Sequence, residues 1–420
     1  MRRLMGVGQF VKVFEKPSYF LYWLSYSLSA IGFELTLFIL MVILFDTTQT
    51  AVGMGAFTAI FMFCMMVFGP IAGTCIDRWQ RKRIFLACNL LLAVLAYSIR
   101  FLQEALWIYV AWFVASLLFT FLRSVRAALI TNLFPEESYF KANSAFMLSL
   151  NLSKIGGPLI GGFLILGFPR EWIGNSIASF FFLSLISASL LRFHPLSLGG
   201  SGARRKFWDS RDLIAGLVFI LSNKQLRFYV LIGFFWRLFL ASQLPLFIVF
   251  VKNYLGMGTQ EYSLFMTCLA LGGAVGSFVA GSVESLWNRR TLIFGGLGAS
   301  YLFFALLPIS TYFPLVLLLI GLSNLFFFIA VVAIHSEIQQ VTPDEVRGKV
   351  FASSPTLLIP VGLVSIILAS PLADKVGVGW VFFVSGILAL LSLPLLNYLN
   401  DQFGAYGRSA LSPKATHDQT

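Results

Sequence analysis

Of this chain's 420 residues, 58% are hydrophobic and only 11% charged, with a mean hydropathy of +0.85, whereas soluble domains carry about 25% charged residues. That composition excludes an ordinary soluble globule and points to an integral membrane protein. A formal net charge of +12 would suit nucleic acid as a partner, but the cations gather at the ends of apolar runs rather than along a stripe on a soluble domain, which argues against it.

The chain opens with Arg2, Arg3, Lys12 and Lys16 ahead of a long apolar run without a small-residue cleavage signal. This run is expected to stay as a membrane span rather than to be removed as a signal peptide. Crossing ~30 Å of hydrocarbon takes about 20 apolar residues. Twelve runs qualify, at about 18–45, 52–75, 84–103, 106–132, 143–168, 172–192, 225–251, 261–284, 291–309, 313–340, 350–373 and 378–399. A bilayer offers backbone groups no water, so runs of this length are expected to be helices, giving an all-α membrane protein with twelve transmembrane helices. Cys64, Cys75, Cys88 and Cys268 fall within or at the edge of these spans without a paired spacing, and are expected to be small packing residues rather than disulfides.

Between spans 2 and 3 lies a charged stretch, Gly73-Thr74-Cys75-Ile76-Asp77-Arg78-Trp79-Gln80-Arg81-Lys82-Arg83. Moving 208 positions along carries Gly73 onto Gly281, Trp79 onto Trp287 and Arg81-Lys82 onto Arg289-Arg290. The same offset carries Pro135-Glu136-Glu137 onto Pro343-Asp344-Glu345 and Lys141 onto Lys349. These landmarks define an ungapped internal repeat of roughly 200 residues.

Gly73-x-x-x-Asp77-Arg78-x-x-Arg81-Lys82 resembles the loop signature between the second and third helices of the major facilitator superfamily of secondary transporters, departing from it at Gln80, where that family usually has glycine. The later loops, Pro135 to Ser138 and Pro343 to Val350, resemble those of the branch holding macrolide and enterobactin exporters, and the likeness runs from about Tyr19 to Leu399. It implies two pseudo-symmetric six-helix bundles, alternating access to a midplane substrate site, and a monomer. It also implies a conformational gate formed by Gly73, Asp77, Arg78, Arg81 and Lys82, with Asp77 reaching the start of span 11 near Lys349. Ser285 takes the place of Asp77 in the second copy, so the gate is expected to be asymmetric.

The bundles are expected over residues 1–192 and 225–400, with a turn-rich, basic linker at 193–224 bearing a short surface helix at 207–213, and a polar tail at 401–420. With the amino terminus cytoplasmic, 21 Lys and Arg residues lie on the cytoplasmic side and four outside. The expected place is therefore the cell inner membrane, with many passes and both termini cytoplasmic.

Ionisable groups inside spans are costly, by at least ~2.5–3.5 kcal/mol at the bilayer centre, and mark candidate sites. Glu34 lies roughly 22 Å from the cytoplasmic end of span 1, the only carboxylate in the interior of the amino-terminal half. A carboxyl held from water suits proton uptake and release; the alternative is a structural ion pair. Arg123, roughly 15 Å deep in span 4, resembles the arginine motif of proton-coupled exporters, although Arg126-Ala127 replaces the motif's Gln-Gly. Arg126 is expected to snorkel or to pair with Glu136 and Glu137. Lys154 and Arg237 lie roughly 16 Å deep; they and Glu34 are candidates for holding an anionic or zwitterionic substrate, and Glu34 and Arg123 for proton coupling. The alternative places some of them in pairs away from the path. In span 5, Gly157, Pro158, Gly161 and Gly162 match the Gly-Pro-x-x-Gly-Gly core associated with antiporters, with plain close packing as the alternative. His335 and Glu337 are two residues apart on a helix and share no face, which argues against a metal pair and for interfacial solvation.

No catalytic triad, zinc spacing or phosphate loop is present in the sequence, so neither an enzyme nor a cofactor is expected. The expected function is export of a small amphipathic compound by proton antiport and alternating access. Alternatives are a lipid, lysolipid or anionic-metabolite transporter of the same fold, an uptake symporter, and, in a different class, a membrane sensor or scaffold.

Overall fold

The computed structural model describes residues 17–133, 139–191, 217–283 and 286–403. Glu136, Glu137, Ser285, the surface helix expected at 207–213 and the tail beyond 403 lie outside the described residues, as do the side chains of Asp77, Arg78 and Lys349. The described helices are α1 (Pro17–Thr48), α2 (Ala51–Arg78), α3 (Arg81–Ser98), α4 (Ala105–Leu133), α5 (Tyr139–Gly167), α6 (Arg170–Ser189), α7 (Lys224–Leu240), α8 (Thr259–Val283), α9 (Arg289–Leu306), α10 (Phe313–Val341), α11 (Asp344–Val376) and α12 (Val378–Phe403). Past Leu240, α7 continues as Gln243–Val249 and a π-helical turn, Phe250–Tyr254.

Among the described residues, twelve segments are long and apolar enough to cross a membrane, with mean hydropathies from 1.3 to 2.8. The protein is an all-α, multi-pass membrane protein. Span boundaries fall within a few residues of the apolar runs except at the eleventh, where the helix begins at Asp344 but its apolar window only at Thr356. Helix starts are capped by local chemistry. The Thr50 hydroxyl accepts from the Gly53 N–H at 3.1 Å, the Asn223 amide oxygen from Gln225 and Leu226 at 2.9 and 3.1 Å, and that of Asn288 from Thr291 at 2.7 Å.

The chain forms two compact units, Met1–Trp208 with Leu244–Ala270, and Asp209–Gln243 with Leu271–Thr420. In the first, α1 packs along α5 and α6, α2 along α4, and α3 along α4 and α6. In the second, α7 packs along α11 and α12, and α9 along α10 and α12, repeating the pairing order of the first. Gly272 and Gly276 on α8 face the backbone of Gly321 and Leu325 on α10, leaving no room for a Cβ. Close backbone approach of this kind drives helix association where lipid removes the hydrophobic gain.

Within the first unit, α1 and α5 run parallel in strict register. Trp23 Nε1 donates to the Ala145 carbonyl at 3.3 Å and Ser27 Oγ to Ser149 Oγ at 2.8 Å, both 122 residues apart. A buried polar knot joins α1, α3 and α6: Ser25 Oγ donates to the Ser184 carbonyl at 2.8 Å, and Ser29 Oγ to Asn89 Oδ1 at 2.5 Å. Aromatic rings fill the space between α1, α2 and α4, with Phe33 stacked on Phe119 and Phe57 on Trp112 at 3.6 and 4.3 Å between centroids. Each such pair is worth ~0.5–1.5 kcal/mol beyond area burial.

The sequence repeat reappears as a repeated set of contacts. At the start of α3, Arg81 Nη1 donates to the Ala128 carbonyl of α4 at 2.7 Å, and Lys82 Nζ to the carbonyls of Leu191 and Ser189 past α6, at 2.6 and 3.0 Å. At the start of α9, Arg289 Nη1 donates to Glu337 Oε1 on α10 at 2.7 Å, and Arg290 Nη2 to Asn397 Oδ1 on α12 at 2.7 Å. Ser189 and Asn397 are themselves 208 residues apart.

Glu337 departs from the interfacial solvation expected of it: it is 8% exposed, held by Arg289 and by the Tyr229 hydroxyl at 3.1 Å. Removing Arg289 would strand a buried carboxylate. Arg289→Ala should therefore cost about 1–3 kcal/mol, read as a lower unfolding midpoint in detergent, and adding Glu337→Gln should recover part of the loss.

Candidate transport site

In the first unit, the intramembrane charges of α1, α4 and α5 gather around α1. Glu34 is only partly buried, and no described residue gives its carboxylate a hydrogen bond or an ion pair. The exposed Lys154 on α5 is the cation whose charge acts on it. One turn further along α5, a Cβ on Gly157 would stand 2.6 Å from Glu34 Cβ and 2.9 Å from its carbonyl carbon. Gly161 meets Phe38 one turn on, so the α1–α5 register of Trp23 and Ser27 continues through the carboxylate. Pro158 and Gly162 face a different neighbour: Ser263 Oγ donates to the Pro158 carbonyl at 2.7 Å and lies against Gly162. The glycines of the antiporter-like core thus serve close packing, and Gly157 does so against the backbone that carries Glu34.

Two turns before Glu34, Tyr26 is 1% exposed and its hydroxyl has no hydrogen-bond partner. The charges of Arg126, Arg123 and Glu34 all act on it. The Arg126 guanidinium lies 5.4 Å from the Tyr26 ring centroid, with Nε and Nη1 buried and unpartnered, while its carbonyl accepts from the Tyr22 hydroxyl at 3.0 Å. Arg123 is exposed and reaches Met65 Sδ at 3.2 Å. Tyr26 carries no charge and sits at an ordinary helical position, so only the arginines' approach from α4 marks it.

Of the expected gate residues, Arg81 and Lys82 take the carbonyls described above. Gly73 is exposed, with nothing within 4 Å of where its Cβ would be.

The second unit holds a cavity of about 340 Å³. Its wall includes Tyr229, Trp236, Arg237, Phe327, Phe328 and His335. Trp236 stacks on Phe327 at 5.0 Å, and the Arg237 guanidinium lies 5.2 Å from the Trp236 ring with its Nε buried and unpartnered. Arg237, His335, Ser354 and the Tyr229 hydroxyl bring polar groups into a lining that is otherwise aliphatic and aromatic, the mixture typical of small-molecule sites. The aromatic residues were not legible as a site in the sequence, because a phenylalanine-rich helix reads as lipid-facing until its neighbours are known.

Twelve spans in two similarly paired sets, with unpaired charge inside the spans, define a membrane transporter of the facilitator type. The sequence profile of the Major Facilitator Superfamily matches residues 22–357, and the chain belongs to that family. It is similar to macrolide efflux protein A of Streptococcus pyogenes, with 24% identity over 401 residues that cover 91% of this chain and 96% of that protein. It is 27% identical over 268 residues to the multidrug efflux pump Tap of Mycolicibacterium fortuitum, covering 61% of this chain and 60% of that one. Among solved structures, a bacterial homologue of the human lysosomal transporter Spinster superposes with a TM-score of 0.67 at 12% identity, covering 92% of this chain and 96% of that one. A D-xylose-proton symporter gives 0.67 at 14% identity, covering 90% and 97%. At these identities the structures show the shared fold.

An unpartnered buried hydroxyl destabilises a fold, and replacing it by hydrogen costs little. Tyr26→Phe should leave the unfolding midpoint in detergent unchanged or raise it; a marked fall would mean that the hydroxyl has a partner.

Proposed function

We propose that this protein exports small amphipathic compounds by proton antiport, with Glu34 as the proton-carrying group. The observation that carries this reading is a carboxylate deep in α1, partly accessible and without a hydrogen bond or ion pair from any described residue. A carboxylate kept as a structural cross-link would have such a partner. Lys154 supplies positive charge beside Glu34, and Arg123 on α4 is assigned the second coupling charge. Close packing of Gly157 on Glu34 couples the proton site to the position of α5.

In this proposal the bundles are residues 1–192 and 225–400, the chain works as a monomer in the cell inner membrane with both termini cytoplasmic, and no catalytic step is involved. Asp77 and Arg78, with Gly73, Arg81 and Lys82, form the gate. Export as the direction draws support from the efflux proteins to which the chain is similar.

The aromatic cavity of the second unit favours one form of this function, in which the cargo is anionic, such as an acidic lipid or siderophore. A guanidinium with an unpartnered Nε beside a stacked tryptophan suits a planar or acidic group.

Two measurements in proteoliposomes test these assignments. Glu34→Gln should abolish transport driven by a pH gradient while leaving substrate binding in detergent; gradient-driven transport at the wild-type rate would dismiss Glu34 as the proton carrier. Arg237→Ala should slow anionic cargo about tenfold or more, the cost of one charge-assisted hydrogen bond, and leave cationic cargo within about twofold. Equal losses for both would remove Arg237 from substrate recognition.

A further inference from the structure

Three cations open α3, and two of them are occupied. Arg81 binds the Ala128 carbonyl of α4 and Lys82 the Leu191 carbonyl past α6, whereas Arg83 is exposed and makes no hydrogen bond or ion pair with any described residue. The internal repeat separates them as well. Arg81 and Lys82 have basic counterparts in Arg289 and Arg290, but the residue 208 positions after Arg83 is Thr291. The third cation is therefore not part of the scaffold that the two halves share.

Arg83 stands on a groove of about 570 Å³ between α3 and α4. Past the cap residue Gln80 the groove follows one stripe of α3 at helical spacing, Arg83, Ala87 and Leu91, and Leu117 and Phe121 of α4 form the facing wall. Trp79 also lines it and is 63% exposed. Apart from Gln80, Arg83 and the Trp79 indole N–H, the lining is apolar. Eight residues separate Arg83 from Leu91, roughly 12 Å along the helix, close to the ~15 Å of hydrocarbon in one leaflet. An arginine and a tryptophan at the wet end of an apolar channel match the headgroup level of a membrane.

We propose that this groove holds one anionic phospholipid. Its phosphate sits on the Arg83 guanidinium, with the Gln80 amide and Trp79 indole as further donors, and one acyl chain lies along Ala87, Leu91, Leu117 and Phe121. Phosphate and guanidinium match as a charge-assisted, bidentate pair. Acidic rather than zwitterionic lipid is selected because Arg81 and Lys82 lie next to Arg83, where the ammonium of a choline or ethanolamine headgroup would be repelled. Basic pockets between transmembrane helices recognise acidic headgroups on this principle.

Native mass spectrometry of the full-length protein, released from nanodiscs of mixed phosphatidylglycerol and phosphatidylcholine, tests the site. Wild type should keep one phosphatidylglycerol. Arg83→Gln should keep about tenfold less, Arg83→Lys an intermediate amount, and Ala87→Trp, which fills the groove and leaves the charge, about as little as Arg83→Gln. A folded Arg83→Gln that retains phosphatidylglycerol like wild type would overturn the proposal, and so would full retention in Ala87→Trp. Displacement of the lipid by millimolar inorganic phosphate would reduce the site to a headgroup pocket and also overturn it. A dimer that dissociates in Ala87→Trp would assign the groove to a second copy instead. Should Arg83→Gln fail to fold, the Arg83→Lys and Ala87→Trp measurements decide by the same outcomes.

Discussion

Carbonyls near a helix end and any buried charge need partners, and here one pair of adjacent cations meets that need twice. Arg81 and Lys82 start α3 by binding a carbonyl of α4 and those at the end of α6; Arg289 and Arg290 start α9 by binding α10 and α12. A cation at a helix carboxyl end is also favoured by the helix dipole. In each unit the first turn of the third helix therefore acts as a clasp on two other helices. The copies differ in one respect: the first clasp uses a backbone carbonyl of α4, and the second a buried carboxylate of α10. The second is electrostatically stronger but leaves a charge stranded if it breaks.

α1 depends on a different contact. Its parallel register with α5 is set by Trp23, Ser27 and the small residues Gly157 and Gly161, which bring two backbones together through the level of Glu34. The same helix is pinned on its other side by the serine knot to α3 and α6. This rigid frame carries two polar side chains to which no described residue gives a hydrogen bond, Glu34 and Tyr26. Local rules of burial are broken where the surrounding packing is tight enough to hold the exception, and such places are expected to be functional.

The second unit shows how a site can be built without a signature. Its cavity is lined by aliphatic residues and by aromatic residues of α7 and α10 that in the sequence are indistinguishable from lipid-facing ones, and Arg237 is the only Lys, Arg, Asp or Glu among its described lining residues. The groove under Arg83 is the reverse case. A basic cluster at a membrane surface reads as a topology signal, and only the partners taken by Arg81 and Lys82 single out the residue left over.

Twelve spans, the internal repeat and the family were legible in the sequence, because a bilayer demands about 20 apolar residues per crossing and a duplicated chain keeps its charged loops at one offset. The intramembrane charges were legible for the same reason, since hydrocarbon makes each of them stand out. Which way those charges point was not. Glu337 read as a solvated end of span 10 and is instead buried on Arg289, while Gly157 read as a flexible point or a packing point and lies against Glu34. Both outcomes depend on which helix comes alongside, and that pairing is decided by contacts between residues more than a hundred positions apart, or by a clasp reaching across a neighbouring span. Periodicity and spacing carry no record of such contacts; the three-dimensional packing alone decided them.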